Sequence, residues 1–172
     1  MKQKRMSIKK LVSIAMLTAV ALIIFIVEAQ IPSPVPIPGI KLGLANIVTV
    51  YAMFTFGPAP TLMIFLCRVF LGSVFSGQLI SLLYSLGGGF LCYLSMLLMR
   101  KIVTEKHIWV CSVVGAVFHN VGQISVAVLI TRTPGIAIYL PILLVTGIIA
   151  GLFTGFCAQY VVHQLPEPLN KI

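Results

Sequence analysis

Three polar residues interrupt the apolar stretch GAVFHNVGQISVA, which runs from Gly115 to Ala127. Polar side chains in such a stretch cost free energy unless a partner satisfies them. At ~3.6 residues per helical turn, His119 and Gln123 share one face, and Asn120 lies beside it. Gly115 and Ala127 leave room next to this pair. The stripe either joins helices through hydrogen bonds or contacts a ligand.

Two charged residues and an asparagine lie in or beside other apolar segments. Arg68 lies in the middle of FLCRVFLG. It either forms an ion pair with Glu28, binds an anionic ligand, or extends its charge to the membrane surface. Glu28 either points into the protein or meets water at the end of its segment. Asn46, in KLGLANIVTVYA, begins a segment where it would border an outward-facing cavity.

The acidic residues are too few and too scattered for several kinds of catalysis. The sequence has no aspartate, and its three acidic residues are Glu28, Glu105 and Glu167. Paired-carboxylate catalysis and aspartate-rich magnesium sites are therefore excluded. The GxxxxGK[ST] loop and the GxSxG and HExxH motifs do not occur. No Cys/His cluster has metal-ligand spacing, so we expect no metal, no cofactor and no enzyme activity by the chain alone.

The composition indicates an all-α integral membrane protein. Of the 172 residues, 59% are hydrophobic and 9% are charged, whereas soluble domains have about 25% charged residues. The net charge of +9 does not indicate nucleic-acid binding, because the basic residues gather at the termini and in the connections between apolar segments.

Six apolar segments follow a basic N-terminus of residues 1–10 and form one predicted transmembrane domain, residues 11–163. We expect a bundle of six helices, since a chain in lipid must satisfy its backbone internally. The second and third segments are short against the ~20 residues that cross a bilayer; they are irregular, buried by neighbours, or incomplete crossings. The six segments are Leu11–Ile31, Leu42–Phe56, Thr61–Phe75, Leu79–Met99, His107–Ile130 and Ile136–His163.

The distribution of lysine and arginine predicts the orientation of the chain in the membrane. With the N-terminus inside, the outer connections hold only Lys41 and Arg132. This bias places both termini, including the short tail 164–172, in the cytoplasm and the proline-rich connection outside. The first apolar run is longer than the ~7–15-residue core of a signal peptide and no AxA-type site follows, so we expect it to be retained. The basic residues on the inner side are Lys2, Lys4, Arg5, Lys9, Lys10, Arg100, Lys101, Lys106 and Lys171.

Small residues recur every four positions on two segments. The GxxxGxxxG ridge from Gly147 to Gly155 predicts close packing inside the protein. Ala15 and Ala19 form an AxxxA pattern on the first segment, which either packs internally or accepts a partner helix. At ~100° per residue, Glu28 projects roughly opposite to this pair.

Three stretches, VPIPGIKLGLANIVTVYA, SLLYSLGGGF and GAVFHNVGQISVA, occur in an order and spacing that resemble the Gx transporter family. Its members are often labelled heptaprenyl diphosphate synthase component I and are similar to the substrate-binding S components of energy-coupling-factor (ECF) transporters. The resemblance covers about Leu11 to His163. It implies a six-helix bundle with an outward-facing pocket beneath a loop after the first helix. The loop would be Pro32–Lys41, with lid residues Pro36, Pro38, Gly39 and Lys41.

The resemblance also implies partners, a location and an activity. Ala15 and Ala19 would bind a membrane scaffold subunit, and separate ATPase subunits would supply energy. The chain would take up a small molecule across the bacterial cytoplasmic membrane. The alternative is an accessory membrane subunit of heptaprenyl diphosphate or quinone biosynthesis, because prenyl chain elongation uses aspartate-rich motifs that this sequence lacks. We expect the small molecule to be bound in one cavity by Glu28, Asn46, Arg68, His119, Asn120 and Gln123.

Overall fold

The computed structural model describes residues 7–31, 40–77 and 79–164. In these residues the regular secondary structure is entirely helical, which confirms the all-α prediction for the described chain. Short 3-10 turns, Glu105–His107 and Pro134–Tyr139, precede the last two helices. The α-helices are α1 (Ile8–Glu28), α2 (Asn46–Thr55), α3 (Pro58–Ser76), α4 (Leu79–Met99), α5 (Ile108–Thr131) and α6 (Leu140–Gln164).

Five helices of the described chain are long and apolar enough to cross a membrane: α1, α3, α4, α5, and α6 together with the 3-10 turn before it. Their outward surface is apolar as well. Phe75 is 68% exposed and Phe153 is 63% exposed. Such a surface suits lipid rather than water, and the helices satisfy their backbone hydrogen bonds internally. The chain is therefore a membrane-spanning protein.

The second segment differs from the expected span Leu42–Phe56. It becomes helical only at Asn46, and α2 has 10 residues, which extend about 15 Å. A bilayer core is ~30 Å thick, so α2 is too short to cross it. Gly43 has a φ of 85°, which ends any helical continuation before it. α2 contacts every other α-helix and fully buries Val50 and Met53, so neighbouring helices stabilise it.

The third segment is longer than its sequence predicted. α3 begins at Pro58, three positions before the expected Thr61, and has 19 residues. The sequence GPAP reads as the end of one segment, but Pro58 occupies the first turn of the next. Proline is tolerated there because the first N–H groups of a helix have no partner within the helix.

Glycine allows α4 and α5 to approach closely. A Cβ atom on Gly122 would lie 2.5 Å from the carbonyl oxygen of Gly87 and 2.8 Å from Cα of Gly88. A Cβ atom on Gly88 would in turn lie 2.7 Å from the carbonyl oxygen of His119. No larger residue fits at Gly88 or Gly122 without moving a backbone. The contact holds the polar turn of α5 against α4.

The glycine ridge of α6 packs inside the bundle, as predicted. A Cβ atom on Gly151 would lie 2.9 Å from Cα of Val113, and one on Gly155 would lie 2.6 Å from Cα of Trp109. α5 and α6 are therefore in backbone-level contact at Trp109 and Val113 of α5.

The AxxxA pair of α1, unlike the glycine ridge of α6, lies on the outer surface of the bundle. Ala15 and Ala19 are exposed, while the buried face of α1 carries Ile14, Phe25 and Glu28. The alternative of internal packing for the two alanines is therefore wrong within the described chain. The prediction that Glu28 projects away from them is confirmed.

A buried polar cluster

A cluster of polar side chains forms at one end of the bundle because the helices bring distant positions to the same level. Glu28 is the last residue of α1, and Asn46 is the first residue of α2. α3 returns toward this end and carries Arg68 in its second half. The polar cluster, as we define it, lines one cavity and consists of Glu28, Lys41, Asn46, Arg68, His119 and Gln123.

Five of the six side chains of the polar cluster are buried, and Lys41 is half-buried. Arg68 and Glu28 are each 4% exposed, and Gln123 is 1% exposed. The cavity between the side chains has a volume of about 10 Å³, which is about the space that one water molecule needs. The expected convergence of polar side chains is present, whereas the cavity is far smaller than a binding pocket for a complete small molecule.

Gln123 connects α5 to the segment that precedes α2. Its Oε1 accepts the N–H of Lys41 at 3.2 Å, and its Nε2 donates to the carbonyl oxygen of Lys41 at 3.1 Å. These two bonds fix the orientation of the amide. The same Nε2 lies 2.5 Å from Nε2 of His119, so the His119 nitrogen is the acceptor and the imidazole is neutral, with its proton on Nδ1.

Glu28 holds the turn that leads into α2. Its carboxylate accepts the backbone N–H of Gly43 and, at 3.3 Å, the backbone N–H of Ala45. The alternative of a water-exposed carboxylate is therefore wrong. A Cβ atom on Gly43 would lie 2.8 Å from Nδ2 of Asn46 and 3.2 Å from Cδ2 of His119. Glycine is thus required at this position by both its positive φ and the close approach.

Arg68 is buried with only part of its guanidinium satisfied. Its Nη2 donates to Oδ1 of Asn46 at 3.3 Å, and its Nε has no hydrogen-bond partner among the described residues. Of the three alternatives for Arg68, two are not found in the described chain. The guanidinium does not reach the surface, and the Glu28 carboxylate is bonded to backbone N–H groups rather than to Arg68.

Lys41 is the one lid residue predicted from the sequence that the structure describes. Its Nζ is buried without a hydrogen-bond partner and lies 3.3 Å from the centroid of the Phe25 ring. Burial lowers the pKa of Lys41 to about 8; Glu28 opposes this shift, and Arg68 adds to it.

Pro36, Pro38 and Gly39, the other expected lid residues, lie outside the described residues, as do residues 1–6 and 165–172 of the two predicted cytoplasmic ends.

Asn120 lies away from the cavity, although the sequence grouped it with His119 and Gln123. Its Nδ2 donates to the carbonyl oxygen of Leu143 on α6 at 2.5 Å. The polar stripe of α5 therefore divides. Asn120 forms the interhelical hydrogen bond that was one of the two alternatives, while His119 and Gln123 line the cavity.

Four cavity-lining residues were not singled out from the sequence. They are Phe25, Gly43, Ala45 and Ser85. Phe25 lies three positions before Glu28 and therefore on the same helical face, a signal that could have revealed it. Ser85 lies in SLLYSLGGGF, where nothing distinguishes it from the neighbouring serine.

The part of the chain that the structure describes contains no group of three His, Cys, Asp or Glu residues that could hold a metal ion.

Comparison with known proteins identifies the family. A family model described as heptaprenyl diphosphate synthase component I matches residues 17–161. No curated protein and no solved structure matches the chain. The matched range includes all six residues of the polar cluster and the glycine contacts between α4, α5 and α6. Since it extends over most of the sequence, the chain belongs to the heptaprenyl diphosphate synthase component I family.

Proposed function

We propose that the chain is the substrate-binding, S-component-like subunit of an energy-coupling-factor-type transporter in the cell membrane. It takes up a small molecule and has no enzyme activity of its own. The observation that carries this proposal is the polar cluster, where buried polar atoms of Arg68, Asn46 and Lys41 lack partners. Polar groups inside a protein are normally satisfied, so unpaired groups that surround a shared cavity favour a ligand.

The position of the polar cluster supports access from outside the cell. Lys9 and Lys10 lie in the first turn of α1, and Arg100 and Lys101 directly follow α4. These are the ends of the two helices remote from Glu28 and Ser85. Basic residues mark the cytoplasmic side, so the polar cluster lies toward the exterior. In this proposal the described segment before α2, residues 40–43, moves to admit the small molecule.

The small cavity fits a closed, unloaded state of such a subunit. The segment before α2 is held by Gln123 at Lys41 and by Glu28 at Gly43 and Ala45. A small molecule needs several hundred cubic ångströms, so this segment has to move before one can enter. Side-chain hydrogen bonds of this kind can open without unfolding the helices.

The outer face of α1 supports a membrane partner. Ala15 and Ala19 are exposed there, next to Met16, which is 65% exposed. Small residues four positions apart allow another helix to approach closely in lipid. A scaffold subunit at this face would connect the chain to ATPase subunits. Because this sequence has no phosphate-binding loop, those separate subunits would supply the energy for transport.

The proposal is tested by capturing partners from native membranes with a tagged chain. We expect a membrane scaffold protein and ATPase subunits with phosphate-binding loops to copurify. The double variant Ala15→Leu/Ala19→Leu should reduce their recovery at least tenfold. Ala137→Leu makes the same substitution at an exposed position on another surface and should have no effect. Recovery of no ATPase, or equal recovery with the double variant, would contradict the proposal.

The family description favours a second candidate, an accessory membrane subunit of heptaprenyl diphosphate or quinone biosynthesis. Without aspartate the chain cannot hold the magnesium that prenyl elongation uses, so it would assist a soluble synthase. This candidate expects the tagged chain to capture a subunit with aspartate-rich motifs. It also expects deletion of the gene to lower polyprenyl quinone, an effect that external nutrients do not reverse.

A further inference from the structure

Several hydrogen-bond donors of the polar cluster lack partners. Arg68 Nε, Lys41 Nζ and Asn46 Nδ2 are buried and have no hydrogen-bond partner in the described chain, and His119 Nδ1 has none either. Each neighbouring acceptor oxygen already has a partner. Glu28 accepts two backbone N–H groups, Asn46 Oδ1 accepts Arg68, and Gln123 Oε1 accepts Lys41 N–H. A group that pairs with these unpaired donors has to be an acceptor.

One water molecule cannot satisfy all three donors. A water oxygen has two lone pairs, whereas the donors of Arg68, Lys41 and Asn46 each need at least one. The cavity of about 10 Å³ holds about one water. A carboxylate group presents two oxygens with about four acceptor positions, which matches the three unpaired side chains.

The charges of the cluster further restrict the ligand. Lys41 and Arg68 carry one positive charge each and Glu28 carries one negative charge, so the net charge is +1 − 1 + 1 = +1 with His119 neutral. An uncompensated charge is costly at membrane depth. A monoanion brings the sum to zero, whereas a diphosphate with two or more negative charges reverses its sign. The chain also has no aspartate to hold magnesium beside a diphosphate.

We propose that the small molecule carries a single carboxylate, which accepts hydrogen bonds from Arg68 Nε, Asn46 Nδ2 and Lys41 Nζ. This inference rests on the proposed function and names the chemical class of its substrate. Arginine and lysine donors to a carboxylate form charge-assisted bonds, which are stronger than neutral ones. The molecule is thus an organic acid rather than a prenyl diphosphate.

Binding should depend on pH in one direction. The pKa of Lys41 is about 8, with Glu28 and Arg68 as the charged neighbours and the neutral His119 facing the same cavity. A bound carboxylate favours the charged ammonium and raises this pKa. Binding at pH 9 then requires proton uptake, so affinity should fall between pH 7.5 and pH 9. Lys41→Met should bind more weakly and lose this dependence.

The test measures thermal unfolding of the full chain in lipid nanodiscs with small probes at matched ionic strength. Sodium formate and sodium acetate are the carboxylates, formamide and acetamide are the neutral counterparts, and sodium phosphate and pyrophosphate are the polyanions. We expect saturating carboxylate to raise the melting temperature by about 3 °C or more. The amides should have no effect, and the polyanions should have a smaller one.

Variants assign the response to the site. Arg68→Gln and Lys41→Met should each raise the half-maximal formate concentration at least tenfold, whereas Lys101→Met, at an exposed position near the other end of the bundle, should respond like the wild type. If Arg68→Gln does not fold, Lys41→Met carries the test, because Lys41 lies outside the helices. Equal responses to formate and formamide, a larger response to pyrophosphate, or unchanged responses in both variants would overturn the inference.

Failure of this inference is distinguishable from failure of the proposed function. Capture of ATPase subunits through Ala15 and Ala19 without any carboxylate response would leave a transport subunit that binds another class of molecule. Carboxylate binding without ATPase capture would support the ligand class and contradict the transporter assignment.

Discussion

Gln123 pairs with both backbone polar atoms of Lys41, a residue 82 positions away in the sequence. An amide side chain carries both an acceptor and a donor, so it can accept the N–H and donate to the carbonyl oxygen of one residue at the same time. The bonds join α5 to the segment before α2, and they also orient His119, because the remaining hydrogen of Nε2 points at the imidazole. One side chain therefore controls both the connection and the neighbouring ring.

Replacing Gln123 with methionine should loosen this connection. The variant leaves the N–H and carbonyl of Lys41 unpaired, which should destabilise the local structure by about 1–3 kcal/mol. Hydrogen exchange of the Lys41 amide in nanodiscs should accelerate accordingly, while amides inside α4 should not change. Ser125→Ala is the control on the same helix, because Ser125 is exposed and bonds only to Val121. Unchanged exchange at Lys41 would show that the amide pair does not restrain the segment.

Replacing Glu28 with glutamine should destabilise the turn into α2. The carboxylate accepts N–H groups from Gly43 and Ala45, and the amide offers only one oxygen. Hydrogen bonds to charged groups contribute about 1.5–3 kcal/mol, so we expect a loss of that order in the free energy of unfolding, measured by denaturant titration in micelles. Ser13→Ala, at an α1 side chain that bonds only within its own helix, provides the comparison. A midpoint equal to that of Ser13→Ala would disprove the role of Glu28.

Replacing Gly122 with alanine should separate α4 from α5. The new methyl group would meet backbone atoms of Gly87 and Gly88, which cannot rotate away as a side chain can. Overpacking of this kind costs about 1–3 kcal/mol, and the shift should also move His119 and Gln123. Gly135→Ala serves as the control, because nothing lies within 4 Å of a Cβ atom there. Both melting temperature and formate response should fall for Gly122→Ala alone.

Stability should rise with pH through the titration of Lys41. The pKa of Lys41 is about 8 in the folded protein against 10.5 for the free group, so between these values the unfolded chain binds more protons than the folded one. Stability therefore increases from about pH 8 toward pH 10.5. The melting temperature of the wild type, minus that of Lys41→Met, should increase over this interval. A constant difference would indicate that Lys41 is not buried in the folded protein.

Much of the fold is predictable from sequence because lipid imposes a simple rule on backbone polar groups. α4 has the predicted bounds Leu79–Met99, and α5 and α6 differ from their predicted bounds by a few residues, since long apolar runs leave few alternatives. The start of α3 was missed because GPAP contains proline and glycine, which both end and begin helices. Whether such a stretch ends one helix or begins the next depends on which backbone N–H and carbonyl groups are left without a hydrogen bond.

The site was only partly predictable for a different reason. Helical spacing groups His119, Asn120 and Gln123, but it cannot reveal that α6 covers Asn120 while the segment before α2 reaches Gln123. Contacts between distant positions depend on how closely helices pack. The glycines at 87, 88 and 122 set that distance for α4 and α5, and their sequence pattern does not state which helix they face.

The shortness of α2 explains where a buried polar cluster can exist within such an apolar protein. The ten residues of α2 extend about 15 Å, which is half of a ~30 Å bilayer core. The helix therefore stops inside the bundle, and the polar cluster lies at its N-terminal end, at Asn46. Extending α2 by one turn at its N-terminus would fill the space of the polar cluster with helical backbone and displace Gly43 from Glu28. The protein thus owes this polar interior to a truncated helix, and a group bound there would be enclosed by helices on its sides.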